Sequence, residues 1–301
     1  MSRSTRTART LGAASLVAAL TLGLAACSSD DASSDAAKGD ESNPVVIGVV
    51  NAAADDQWSV FEEQAEAEGI YVEIKDLGSY DLPNAALTSE ELDLNQFQHL
   101  QYLAEYNTNT GEDLTPIGAT AVYPLSLYSS KYTSVDEIPA GAEIAIPNDP
   151  TNLARALLVL QDAGLLELKD GGSSVSTELD VLPSSTVTVT PVDATQTAVN
   201  LDSIDGAVVN NDFIKDAGLA AEDALYQDSA EAEGARPYIN VWVSRAADKD
   251  DETFLKLVEI SHSPEVEAAL LEASGDSAVI ADQDGPTLQG YLDEIQANLQ
   301  G

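Results

Sequence analysis

The stretch Ile144-Ala-Ile-Pro-Asn-Asp-Pro-Thr-Asn-Leu-Ala-Arg-Ala-Leu-Leu-Val-Leu-Gln-Asp-Ala-Gly164 decides how the rest of the chain is read. It opens as a short apolar strand, residues 144–146, which breaks at Pro147. Asp149 can cap a helix whose first residue is Pro150, the position where proline's missing N–H costs nothing. Leu153, Leu157, Leu158 and Leu160 give that helix its apolar residues, and Gly164 is placed to end it in a left-handed conformation. Arg155 stands out. A cation in the first turns of a helix opposes the macrodipole, which favours anions there. Its placement makes sense if an anion lies between Arg155 and the free amides of the helix N-terminus. Asn152, three residues earlier, leaves the same face, so an amide and a guanidinium together can hold a small carboxylate. The competing reading is a solvated arginine on an ordinary amphipathic helix, and this stretch alone leaves both open.

Strand and helix alternate on either side of this unit. A buried-type strand at 45–50, a helix at 57–68 ending before Gly69, and a strand at 71–75 form a βαβ unit, which implies a parallel sheet. A loop from Gly78 leads into a short helix, and residues 91–99 read as a strand with its exit loop, followed by a helix at 100–107. Beyond the opening stretch come a Gly/Ser-rich surface loop at 171–176, a strand at 187–192, a helix at 194–201 and a strand at 206–209. Helices at 251–261, 264–274 and 288–299 close the chain. Two extended segments, 120–129 and 237–243, bracket the middle set. The chain thus leaves a first lobe once and returns once. The expectation is an α/β protein of two lobes with two hinge crossings, lobe 1 from 44–124 and 238–301 and lobe 2 from 125–237. Roughly 270 residues suit two such lobes better than one core. Ligands favour clefts between lobes and the loops after strands, where Phe97, His99 and Tyr102 fall. The bland reading of an isolated histidine is a hydrogen-bonded structural residue, and aromatics beside it are equally at home in a core.

Residues 1–26 are not expected in the fold. Arg3, Arg6 and Arg9 precede an uncharged apolar run, 11–26, which is short of the roughly 20 residues that span a bilayer. It ends Leu24-Ala25-Ala26-Cys27, and Cys27 is the only cysteine. Small residues before a lone cysteine read as a bacterial lipoprotein signal, with Cys27 lipidated and anchoring the protein on the outer face of the cell membrane. Residues 27–43 then form a lipidated, disordered tether. The full chain carries 13 Lys+Arg against 52 Asp+Glu. The three arginines before Cys27 leave 10 basic groups against 52 acids, a formal −42. Nucleic acid is thereby excluded as a partner, since phosphate binding needs clustered Lys and Arg.

Enzyme chemistry finds no foothold. With Cys27 lipidated no thiol remains, and two histidines without HExxH-type spacing give no zinc site. No serine lies in a Gly-x-Ser-x-Gly elbow, and no Gly-rich phosphate loop is present. Among 52 acids, chance carboxylate pairs are expected. No catalysis, metal or cofactor is expected.

Three blocks carry a resemblance to a known family: Tyr80-Asp-Leu-Pro-Asn-Ala-Ala-Leu87 through Phe97-Gln-His99 to Tyr102; Ile146-Pro-Asn-Asp-Pro-Thr-Asn152 to Arg155; and Val209-Asn210 with Tyr238-Ile-Asn240. Together with the leader, they make the chain resemble the methionine-binding lipoproteins of bacterial ABC importers, the NlpA/MetQ-like family. The resemblance spans residues 44–280. It implies a periplasmic-binding-protein-like fold of type II that takes methionine between its lobes, with the choice between the L- and D-isomers open. The receptor then delivers it as a monomer to an ABC permease and its ATPase subunit. It further implies that Arg155, helped by Asn152, pairs with the ligand α-carboxylate, that Asn210 and Asn240 bind the head group, and that Tyr80, Phe97, His99 and Tyr102 enclose the side chain. Leu100-Gln101 stand where Lys-Pro is usual, Ala154 and Leu127 replace usual glycines, and Leu94 and Gln96 are bulkier than usual near the pocket loop. These departures spare the clamp and bear on side-chain specificity, so another hydrophobic amino acid or a methionine-containing dipeptide stays open, as does a surface lipoprotein with a protein partner.

Overall fold

The computed structural model describes residues 37–52, 56–199, 201–215, 217–231 and 233–300; the leader, Cys27 and residues 28–36 lie outside the described residues. The chain runs β1 (Val45–Val49), α1 (Gln57–Ala67), β2 (Val72–Asp76), α2 (Pro83–Thr88), β3 (Leu94–His99), α3 (Leu100–Thr110) and β4 (Thr115–Val122). It continues through β5 (Ser126–Tyr128), β6 (Glu143–Pro147), α4 (Pro150–Asp162), β7 (Thr188–Val192), α5 (Ala194–Thr197), β8 (Gly206–Val209) and β9 (Tyr226–Gln227). Last come β10 (Ile239–Ser244), α6 (Glu252–Ser261), α7 (Pro264–Ala273), β11 (Val279–Ile280) and α8 (Gly285–Gln300).

These strands make two sheets, ordered β11-β4-β10-β3-β1-β2 and β7-β6-β8-β5-β9. Both follow one plan. Three parallel strands (β2-β1-β3 and β7-β6-β8) are joined by an antiparallel strand that has just crossed from the other sheet (β10 and β5), and a further strand (β4 and β9) follows it, with β11 at the edge beyond β4. Each crossing therefore feeds directly into a strand of the sheet it enters.

Burial on both faces explains the near-continuous apolar strands. Val45, Ile47 and Val49 of β1 pack with Trp58 and Phe61 of α1 and with Phe254 and Leu257 of α6. On the opposite face, Val241 and Val243 of β10 lie with Leu100 and Leu103 of α3 and Leu288 and Leu292 of α8. In the second sheet Ile144 and Ile146 face Leu153, Leu157 and Leu160 of α4. The Asp149 side chain accepts from Asn152 N, Pro150 begins α4, and Gly164 (φ +76°) follows its C-cap, so the opening stretch folds on local signals.

Several expectations are corrected. The tether does not reach residue 43: Lys38 pairs with Asp93 at 2.8 Å, Gly39 is buried against Thr253 and Ile70, and Tyr71 N donates to Gly39 O at 2.8 Å. A segment without apolar periodicity folds here because neighbouring elements supply its partners. Residues 120–129 are two strands rather than one, since Pro124 has no N–H for a ladder and β4 and β5 belong to different sheets. The helix expected at 194–201 stops at Thr197. The return crossing approaches as a 3-10 turn, Glu233–Tyr238, with extended backbone only from Ile239.

Candidate functional site

One cleft between the sheets is lined by all eight side chains singled out above: Tyr80, Phe97, His99, Tyr102, Asn152, Arg155, Asn210 and Asn240. It encloses about 440 Å³ of space not filled by atoms, its open mouth included. Phe97 and His99 end β3, Tyr102 lies in the first turn of α3, and Tyr80 comes from the loop before α2. Asn152 and Arg155 stand on the first turns of α4, and Asn210 directly follows β8. Asn240, in β10, is in register with His99.

His99 does not sit in a loop, as the sequence suggested. It is the last strand residue and the N-cap of α3, its Nδ1 accepting from Tyr102 N at 3.1 Å. With Nδ1 an acceptor, Nε2 carries the proton and donates to Asn152 Oδ1 at 3.2 Å. Burial first, and the Arg155 charge second, push the imidazole down from its usual 6.5 to about 3, so the ring is neutral. The Asn152 amide is fully committed. Its Oδ1 also accepts from Asn210 Nδ2 at 3.1 Å, and its Nδ2 donates to both carboxylate oxygens of Asp149 at 3.1 Å. Asn210 Oδ1 is buried without a hydrogen-bond partner, on a side chain that lines the cleft.

The α4 N-terminus and Arg155 each meet a carboxylate of this chain. Asp149 takes the Asn152 amide, and burial raises its carboxyl above the usual range against the pull of those bonds. Arg155 pairs with Asp228: Nε donates to Asp228 Oδ2 at 2.7 Å and Nη2 to Asp228 Oδ1 at 3.1 Å. Nη2 also donates to Tyr123 O at 2.9 Å, and the guanidinium lies 4.1 Å from the Tyr238 ring centroid. The Arg155 side chain is 6 % exposed, which rules out the solvated reading. Asp228 carried no local signal, because it meets Arg155 only when β9 pairs with β5.

Tyr80, Phe97 and Tyr102 form one aromatic cluster, with ring centroids 6.0 Å (Tyr80–Phe97), 6.3 Å (Tyr80–Tyr102) and 5.7 Å (Phe97–Tyr102) apart. Phe213, from the 3-10 turn after Asn210, joins it 5.4 Å from Tyr80. The sequence reading missed Phe213 and Asp212. Tyr80 Oη donates to Asp212 Oδ2 at 2.6 Å, and Asn51 Nδ2 donates to Asp212 O at 2.5 Å, both bonds spanning the cleft. Most departures from the family pattern lie elsewhere. Leu94, Leu100, Leu127 and Ala154 are fully buried in the cores, whereas Gln96 donates to Thr120 Oγ1 at 3.2 Å and lines an adjoining hollow that shares Phe97, Tyr123 and Asn240 with the cleft.

Two α/β sheets of matching strand order, joined by two crossings with a polar and aromatic cleft between them, define a two-lobed solute-binding protein. The sequence profile of the NlpA lipoproteins matches residues 45–281. The chain belongs to the NlpA lipoprotein family. The D-methionine-binding lipoprotein MetQ of Salmonella typhi is 35% identical over 263 residues, covering 86% of this chain and 93% of that protein. That of Escherichia coli strain K12 is 36% identical over 247 residues, covering 80% and 90%. The crystal structure of the methionine-binding protein MetQ superposes with a TM-score of 0.74 at 35% identity, covering 80% of this chain and 98% of that one. A nutrient-binding protein from Burkholderia cenocepacia bound to methionine gives a TM-score of 0.72 at 34% identity, covering 79% and 99%. No helix among the described residues is long and apolar enough to cross a membrane.

Proposed function

We propose that this protein captures methionine as a zwitterion in the cleft and delivers it to an ABC permease and its ATPase subunit, performing no chemistry itself. The observation that carries the reading is the convergence on one cleft of a buried guanidinium, three asparagine side chains and an aromatic cluster. Arg155 offers the Nη1 hydrogens, which make no hydrogen bond among the described residues, to the α-carboxylate. Asn210 Oδ1 accepts from the α-ammonium, with Asn240 beside it. The thioether packs on Tyr80, Phe97 and Tyr102, where each sulfur–ring contact contributes about 0.3–1.5 kcal/mol. The lobes, 44–124 with 238–301 and 125–237, close on the ligand about the two crossings. A lipid on Cys27 holds the receptor, a monomer, on the extracytoplasmic face of the cell membrane.

The test is calorimetric titration of residues 28–301, unfolded and refolded to strip bound ligand, with L-methionine and then D-methionine. Submicromolar binding, about −8 kcal/mol or tighter, is expected. Arg155→Ala is expected to abolish it. Undiminished affinity in that variant, or no heat with either isomer, would refute the assignment.

A further inference from the structure

We infer that Asp228 is the positioning residue for Arg155, fixing the guanidinium so that only Nη1 addresses the carboxylate of a ligand in the cleft. The assignment rests on the carboxylate role proposed for Arg155. A guanidinium has five N–H donors. Three are engaged: Nε with Asp228 Oδ2, and Nη2 with both Asp228 Oδ1 and Tyr123 O. The Tyr238 ring holds the plane from one face. What is left is the Nη1 pair.

Asp228 is itself built into the backbone. Its Oδ1 accepts from Leu125 N at 2.8 Å, and its own N–H donates to Leu125 O at 3.2 Å. The preceding residues pair with β5 in the registers Ser126↔Gln227 and Leu127↔Tyr226. The carboxylate therefore cannot turn away from Arg155 without breaking the contact with the outgoing crossing. This anchoring separates a positioning role from that of a resident anion displaced by the ligand. A free arginine would have to be ordered during binding, at the expense of affinity. Asp228 orders it beforehand. It also cancels the arginine's charge in the empty cleft, so recognition of a carboxylate depends on where Nη1 points rather than on bulk attraction.

The experiment compares L-methionine with methioninamide, whose uncharged amide replaces the carboxylate, by calorimetry on the wild-type protein, Asp228→Asn and Asp228→Glu, with thermal melts to confirm folding. The wild type is expected to prefer methionine strongly. Asp228→Asn should lower the ratio of the two Kd values at least tenfold. Asp228→Glu should lower it too, because the longer side chain keeps the charge but moves the guanidinium, and it carries the test if Asp228→Asn does not fold. Three results would overturn the inference: an unchanged ratio in folded variants with only Tm lowered, a ratio in Asp228→Glu equal to wild type, or tighter methionine binding in Asp228→Asn. A wild type that does not distinguish the two ligands would overturn the carboxylate reading, and this inference with it.

Discussion

His99 Nε2 lies 3.2 Å from Asn152 Oδ1, and this hydrogen bond joins the end of β3 in the six-stranded sheet to the first turn of α4 beside the five-stranded one. It requires a neutral imidazole protonated on Nε2, because Nδ1 accepts from Tyr102 N. The ring's pKa is depressed to about 3 by burial and then by Arg155. Between that value and 6.5 the unfolded chain binds a proton that the folded one does not. Stability is therefore full above pH 6.5 and lost as pH falls toward 3, by up to about 1.4 kcal/mol per pH unit from this group. In His99→Gln the slope of unfolding free energy against pH, measured by urea titration between pH 6 and 4, should be shallower than in wild type by a resolvable part of that amount. Parallel slopes would mean that the histidine is not held neutral.

The phenol of Tyr80 reaches Asp212 across the cleft at 2.6 Å. A hydrogen bond to a charged acceptor contributes roughly 1.5–3 kcal/mol. Tyr80→Phe keeps the ring and removes the bond, and should weaken methionine binding about tenfold or more if the contact forms on lobe closure. Affinity within twofold of wild type would place this bond outside the closure equilibrium.

Phe97 contributes surface rather than charge, with its ring 6.0 Å from Tyr80 and 5.7 Å from Tyr102. Phe97→Ala should weaken methionine selectively relative to alanine, whose methyl group is too short to fill the cage. Equal losses for the two amino acids in calorimetry would contradict an enclosing role.

Asp149 caps α4 and holds both oxygens against Asn152 Nδ2. Losing an N-cap costs about 1 kcal/mol. Asp149→Ala should destabilise the fold by that order in urea melts and also weaken methionine binding, since it releases the amide that supports His99 and Asn210. Asp149→Asn retains a competent cap and should lose less on the stability axis. If Asp149→Ala leaves ligand affinity untouched, the Asn152 network is not organised through the cap.

Local chemistry was enough to read α4, β6 and β8, because Asp149, Pro150 and Gly164 set helix ends through bonds a few residues long, and apolar strands need no distant information. Chain order also implied two crossings, since strands of one set resume after the other is complete. The break between β4 and β5 was not legible: Pro124 sits in an apolar run, and only sheet membership shows where one strand stops.

What the sequence determined is therefore most of the elements, their order and, through the family resemblance, eight side chains that meet in the cleft. Tertiary structure alone decided what those side chains do to one another. Arg155 carries no mark of its partner, because Asp228 comes to it through β5–β9 pairing. His99 is neutral only because two sheets bury it beside a cation. Residues 37–43 fold only because Asp93, Tyr71 and Thr253 are presented to them by other elements. Helix caps and strand patterns act over a few residues of chain, whereas ion pairing, desolvation and packing act through space, between groups that no local spacing brings together.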